Sequence, residues 1–291
     1  MVGFARYGRI CNELSHKAEV VGNYFFSFEE ETMFRNAVGL ISTIFLLALS
    51  ALSQASQAPA IPKTGFPELD EYRASRMSIY TDDFGQLARY RDANAALGPP
   101  RAGENRVVFF GDSITDYWKL EDSFPGKPYI NRGVDGQSTP QMLVRFRQDV
   151  IDLHPKVLVV LAGTNDIAGV TGSTRNEDIE ANYASMAELA RAHGIQVVFA
   201  SLLPAYNYTP QSKESFALRP RERLLALNAW LKDYCAKNHL TYLDYASALT
   251  DDRGMLRRDL SDDGLHPNAA GYKIMAPLAE QAIAKSLAGK P

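Results

Sequence analysis

From about residue 106 the chain alternates short apolar runs with longer stretches of helical spacing. The runs RVVFF (106–110), PYINRG (128–133), KVLVVLAG (156–163), IQVVFAS (195–201) and LTYLDY (240–245) have strand length and little polar alternation. Between them, 139–151 puts Met142, Leu143, Phe146, Val150 and Ile151 on one helical face, with Thr139 and Pro140 as N-cap and first helical residue. Further helices are predicted over about 176–193, closed by Gly194, over about 220–238, and over about 267–288. Strands buried on both sides and joined by helices predict a parallel sheet with helices on both faces, a doubly wound α/β domain. Such sheets bind ligands beyond the carboxyl ends of their strands. A functional motif should therefore follow a strand directly.

Upstream the pattern is weaker. Residues 59–105 read as a linker and an N-terminal helix. Asp82 or Asp83 caps that helix, Phe84, Leu87, Tyr90, Ala93 and Leu97 form its face, and Gly98-Pro99-Pro100 ends it. Residues 37–52, AVGLISTIFLLALSAL, are apolar and uncharged, with Arg35 just before them. Ser53 and Ala55, or Ser56 and Ala58, supply the small residues of a cleavage site. A basic start, a short apolar run and a small-residue site describe a secretory signal over 33–58. The run is short of the about 20 residues a spanning helix needs, so no stable span is expected after cleavage; the alternative is a retained anchor. The signal begins at Met33, and residues 1–32 read as an extension from a misplaced start, since codons for Glu29-Glu30-Glu31 are purine-rich like a bacterial ribosome-binding site. The expected location is secreted or periplasmic.

A composition of 46% hydrophobic and 22% charged residues suits a globular protein, and a net charge of −3 with no basic run argues against nucleic acid as a partner. Cys235 is the one cysteine left after the signal, so no internal disulfide is expected, and it reads as packing. No cluster has zinc-ligand spacing, and no metal is expected.

Ser113 follows the first strand in GDSIT, Gly133 the second in NRGVDG, and Asn165 the third in GTND; Asp263 and His266 share the loop DDGLHP before the last helix. A serine hydroxyl needs an adjacent base, itself oriented by a carboxylate. One turn between Asp263 and His266 lets the carboxylate hold Nδ1 and leaves Nε2 for Ser113. The oxyanion of an acyl-transfer reaction needs preorganised donors, and the backbone N–H groups of Ser113 and Gly133 with the Asn165 amide would supply them. Taken singly, Ser113 reads as a helix cap and Asn165 as a turn residue. Asp112 reads as a cap, Asp166 as a loop brace, and His154, His193 and His239 as structural.

Together, GDSIT, the glycine of NRGVDG, GTND and DGLHP resemble the four sequence blocks of the SGNH or GDSL hydrolases, over residues 106 to about 286 of a 106–291 domain. The resemblance implies a three-layer αβα flavodoxin-like fold with a mainly parallel five-stranded sheet. It also implies Ser113 as nucleophile, His266 as base, Asp263 as orienting acid, and Ser113, Gly133 and Asn165 as the oxyanion hole. No cofactor is implied. The implied reaction is hydrolysis of acyl or acetyl esters, lysophospholipase-like, on a small-molecule, glycan or lipid ester. A carbohydrate O-acetylesterase and a non-catalytic envelope-binding module are the alternatives. The G-x-S-x-G elbow of α/β-hydrolases is absent. Thr115, Tyr117 and Trp118 are candidate substrate contacts. The irregular stretches 167–175 and 203–219 are candidate walls, in which Tyr206 and Tyr208 would suit a sugar or a headgroup.

Overall fold

The computed structural model describes residues 63–289. The signal peptide expected over 33–58 and the extension expected over 1–32 lie outside the described residues. Strands β1 (Val107–Gly111), β2 (Tyr129–Gly133), β3 (Val157–Leu161), β4 (Gln196–Ala200) and β5 (Thr241–Leu243) form one five-stranded sheet in the order β2-β1-β3-β4-β5, every neighbouring pair parallel. This is the flavodoxin-like order, whose switch point lies between β1 and β3. The register sets Gly111 beside both Gly133 and Leu161, so three strands end level there.

Alternate strand residues feed two cores, as a period of two requires. Val108, Phe110, Leu158, Val160, Val197 and Phe199 face one layer. They pack against α6 (Thr139–Asp149), α8 (Asn176–Ala192) and α10 (Arg221–Lys237) through Phe146, Tyr183, Met186 and Leu227. Val107, Phe109, Val157, Val159 and Val198 face the other layer, against Met275, Ala279 and Ile283 of α12 (Ala269–Leu287). Cys235 is buried in the first of these layers, as packing.

Three boundaries differ from the sequence reading. Ser138, not Thr139, caps α6, in a capping box with Gln141, because the Thr139 hydroxyl and N–H are both committed to Asp166. Asn268 caps α12 by accepting from the N–H groups of Ala270 and Gly271; Pro267 precedes it, bridged to Ser261. The helix expected from Asp83 to Leu97 is broken. Helices α1 (Pro67–Ser75), α2 (Met77–Asp82) and α3 (Arg91–Leu97) flank a turn in which the Asp83 carboxylate accepts from the N–H groups of Leu87 and Ala88. That local bonding competes with the helical ladder.

Between β1 and β2 lie α4 (Ser113–Asp116) and α5 (Leu120–Ser123), and α7 (Thr164–Ile167) follows β3. Two further short helices, α9 (Ser212–Ala217) and α11 (Ala246–Leu249), follow β4 and β5 respectively.

Candidate active site

The chain leaves β1 into α4, and Ser113 is its first residue. Asp112 caps it, Oδ1 accepting from the Ile114 N–H at 3.0 Å. Ser113 is buried, and its Oγ lies 2.8 Å from His266 Nε2. His266 Nδ1 lies 2.6 Å from Asp263 Oδ2, while Asp263 Oδ1 accepts from the N–H groups of Leu265 and His266, each at 2.9 Å. Burial raises the Asp263 pKa, but the bonds from the His266 ring and these two N–H groups outweigh it and hold the carboxyl well below its usual range. A proton on Ser113 thus has a short path to an imidazole whose far nitrogen faces a carboxylate that stays ionised.

Asp112 is the opposite kind of carboxyl. It is fully buried, its Oδ2 has no partner among the described residues, and burial pushes its pKa up to about 7, against the Ile114 N–H and nearby positive charge. Asp166 is buried too, pushed up to about 6, and braces α7 against α6 through the Thr139 N–H and hydroxyl. Neither is hydrogen-bonded to the imidazole, whose ring partners are Ser113 and Asp263.

Asn165 lies on α7, one residue into the helix after β3. Its Nδ2 donates to the Gln137 carbonyl at 3.0 Å, and its Oδ1 accepts from Arg219 Nη2 at 3.3 Å. Only this orientation of the amide satisfies both neighbours, and it leaves the second Nδ2 hydrogen without an acceptor among the described residues. Ser113 N–H, at the first position of α4, has no intrahelical acceptor.

Gly133 does not join these donors. Its N–H donates to Asn131 Oδ1 at 2.8 Å, and a Cβ on it would stand 2.1 Å from the Asp116 nitrogen. It is glycine because α4 packs onto its Cα. Three residues on, Gly136 has φ of +73° and no acceptor for its N–H among the described residues. Gly136 sits between Gln137, whose carbonyl holds Asn165, and Asp135, whose Oδ1 accepts from the Tyr117 hydroxyl at 3.1 Å.

Of the candidate substrate contacts, only Tyr117 is exposed, and its ring lies 5.1 Å from the His266 ring. Thr115 is buried against Gly111. Trp118 is buried against Phe109, Phe124 and Tyr272, its indole N–H donating to Ser123. Both belong to the core: Thr115 packs on Gly111 of β1, and Trp118, just past α4, lies in the cluster around Phe109 of the same strand. Tyr206 is likewise buried, and its hydroxyl donates to the Ser261 carbonyl, bracing the loop that carries Asp263. The Tyr208 hydroxyl is taken by Asp251.

The stretch read as linker contributes instead. Helix α1 brings the Tyr72 hydroxyl onto Gly136, Arg76 pairs with Asp135, and Arg73 donates to the Gly169 carbonyl. Arg145, fully buried on α6, donates to the carbonyls of Gly111 and Arg132 and pairs with Asp149 at 3.1 Å, tying the ends of β1 and β2 together. Sequence periodicity offers no signal for any of these three arginines. Among the described residues no cluster of His, Cys, Asp and Glu is placed to hold a metal ion, and no helix is long and apolar enough to cross a membrane.

The fold has known counterparts. A candidate acylhydrolase from Bacteroides fragilis is 39% identical, with a TM-score of 0.67, over 71% of this chain and 99% of that one. A GDSL-like lipase from Bacteroides thetaiotaomicron is 39% identical, with a TM-score of 0.65, over 70% and 99%. A Bacillus subtilis protein named an uncharacterized lipoprotein is 31% identical over 121 residues, 35% of this chain and 50% of that relative, so the chain spans about half its length. The profile of the GDSL-like lipase/acylhydrolase family matches residues 109–274, and the chain belongs to that family.

Proposed function

We propose that the protein is a serine ester hydrolase that works through an acyl-Ser113 intermediate. The observation that carries this reading is the unbroken hydrogen-bond chain Asp263–His266–Ser113, at 2.6 and 2.8 Å. Ser113 Oγ attacks the ester carbonyl carbon as its proton passes to His266 Nε2. The negative charge that gathers on the carbonyl oxygen is met by the Ser113 N–H, the free Asn165 Nδ2–H and the Gly136 N–H, which takes the place of Gly133. Each such donor is worth about 2.7–4 kcal/mol in the transition state. Collapse breaks the bond to the alcohol, which leaves with the proton from the imidazolium. Water then attacks the acyl-enzyme, His266 takes its proton and returns it to Ser113 Oγ, and the acid is released. Asp263 keeps the imidazole in the productive tautomer and stabilises the imidazolium.

Acyl or acetyl esters are the proposed substrates. The polar rim of Tyr72, Arg76, Asp135 and Tyr117 favours a compact acyl group on a polar alcohol, as in a carbohydrate O-acetyl ester, over a long lipid chain. The signal-like segment 33–58, together with the lipoprotein name of the Bacillus subtilis relative, supports an extracytoplasmic location. Residues 106–291 are proposed as the hydrolase domain, with Tyr72 of α1 contributing the wall over Gly136.

A fluorophosphonate probe tests the reading. It should label Ser113 stoichiometrically; an unlabelled serine would favour a binding module on the same fold. A series of p-nitrophenyl esters from acetate to palmitate, run beside acetylated xylan, ranks the substrates. Highest kcat/KM on acetate and acetate release from xylan are expected, and a preference for palmitate would instead favour the lysophospholipase-like reading.

A further inference from the structure

Arg219 is buried at 6% exposure in the connection before α10, and its guanidinium is spread over neutral acceptors. Nε donates to Thr164 Oγ1 at 2.9 Å, Nη1 to the carbonyl and hydroxyl of Ser215, each at 3.0 Å, and Nη2 to Asn165 Oδ1 at 3.3 Å. Among the described residues no carboxylate lies within ion-pair distance of it. A buried cation without a counter-ion in contact is costly, and a site that only needed packing would be filled better by an apolar chain. The carboxylates that act on it from farther off are those of Asp112 and Asp263, both in the candidate active site. Burial brings its pKa down to about 10, so it remains a cation at neutral pH.

We infer that Arg219 is the positioning residue of the oxyanion hole: it fixes the Asn165 amide with Nδ2 toward the substrate and polarises it through Oδ1. The inference rests on the proposed role of Asn165. Its logic is geometric. An amide can be turned by 180° at little cost unless its two ends are told apart. The Gln137 carbonyl accepts only from Nδ2, and Arg219, which has no acceptor, takes only Oδ1. Withdrawing electron density at Oδ1 strengthens the N–H bonds at the other end as donors. The effect belongs to the transition state, where the oxyanion carries full charge, so it falls on kcat and not on KM.

A double-mutant cycle tests this on p-nitrophenyl acetate, with circular dichroism and thermal unfolding run on each variant. Asn165→Ala alone should lower kcat by about 10²–10³-fold. Arg219→Met should lower kcat at least about tenfold with KM nearly unchanged, and in the Asn165→Ala background it should cost almost nothing further. If Arg219→Met does not fold, the cycle is run with Arg219→Lys, which keeps the cation but loses the fork; its smaller loss should also vanish without Asn165. Losses that multiply in the double variant would overturn the inference and leave Arg219 a structural tether of α9 to α7. A full-rate Asn165→Ala would overturn the inference together with the proposed role of Asn165, a result distinct from the previous one.

Discussion

The Gly133 N–H is already donated to Asn131 Oδ1 at 2.8 Å, while the Asn131 amide nitrogen donates to the carbonyls of Thr115 and Trp118. Asn131 therefore clamps the end of β2 to the back of α4, and Gly133 belongs to that clamp. Gly133→Ala should fail on stability, with a large drop in melting temperature or loss of soluble protein, because its methyl would meet Asp116 backbone at 2.1 Å. Gly136→Ala places a methyl on the flexible Tyr72 hydroxyl end and strains φ by about 1–2 kcal/mol. It should stay folded and lose kcat. Melting curves and steady-state kinetics on the two variants separate the roles.

The two carboxyls near the nucleophile should behave differently. Asp263→Asn removes the group that orients His266 and should lower kcat by about 10³–10⁴-fold. Asp112→Asn keeps an oxygen for the Ile114 N–H and should cost less than about tenfold. Equal losses in the two variants would contradict the assignment.

Stability should depend on pH through the same pair, with opposite signs. Asp112 has a folded pKa of about 7, well above the about 3.9 of an unfolded aspartate, so the native state holds that proton longer. Its contribution is favourable at low pH and is lost as pH rises from about 4 to about 7. Asp263 is depressed, so its contribution is present above about pH 4 and is lost as pH falls toward the folded value. Denaturant titrations at pH 5 and pH 8 should show a smaller difference in Asp112→Asn than in the parent, and titrations at pH 3 and pH 5 a smaller difference in Asp263→Asn.

The strands and the helices Asn176–Ala192 and Arg221–Lys237 were legible to within a residue or two, because burial on both faces leaves little freedom of composition. The pairing of Ser113 with His266 was legible from motif order, though 153 residues separate them. Which glycine in NRGVDG offers a free N–H was not, because that depends on Asn131, a neighbour whose side chain turns back onto the strand. Arg145 and Arg219 look like solvent-facing charges in sequence; their burial is accounted for by the acceptors that converge on them, carbonyls and the Asp149 carboxylate for Arg145, hydroxyls, a carbonyl and the Asn165 amide for Arg219. Tyr72 and Arg76 lie in a polar stretch without strong periodicity, and their place over Gly136 follows from α1 docking on Ala168 and Val170.

At the rim, Arg76→Ala removes a partly exposed ion pair with Asp135, so stability should change by less than about 1 kcal/mol. If the rim holds the alcohol part of the substrate, KM for an acetylated oligosaccharide should rise several-fold while kinetics on p-nitrophenyl acetate stay within about twofold. Progress curves of acetate release measure both. An equal change on the two substrates would remove Arg76 from the account of specificity.

Ser113 forms the acyl-enzyme in the proposed mechanism, and turnover of p-nitrophenyl acetate by Ser113→Ala tests that role directly. The alanine fits where the serine is buried, so the far-ultraviolet circular dichroism and melting temperature should be close to those of the parent. In this variant kcat should fall by about 10⁵–10⁶-fold, to the residual rate that donors and binding sustain without a nucleophile, as expected if Ser113 forms the acyl-enzyme. A folded Ser113→Ala variant that turns over at the parent rate would contradict it.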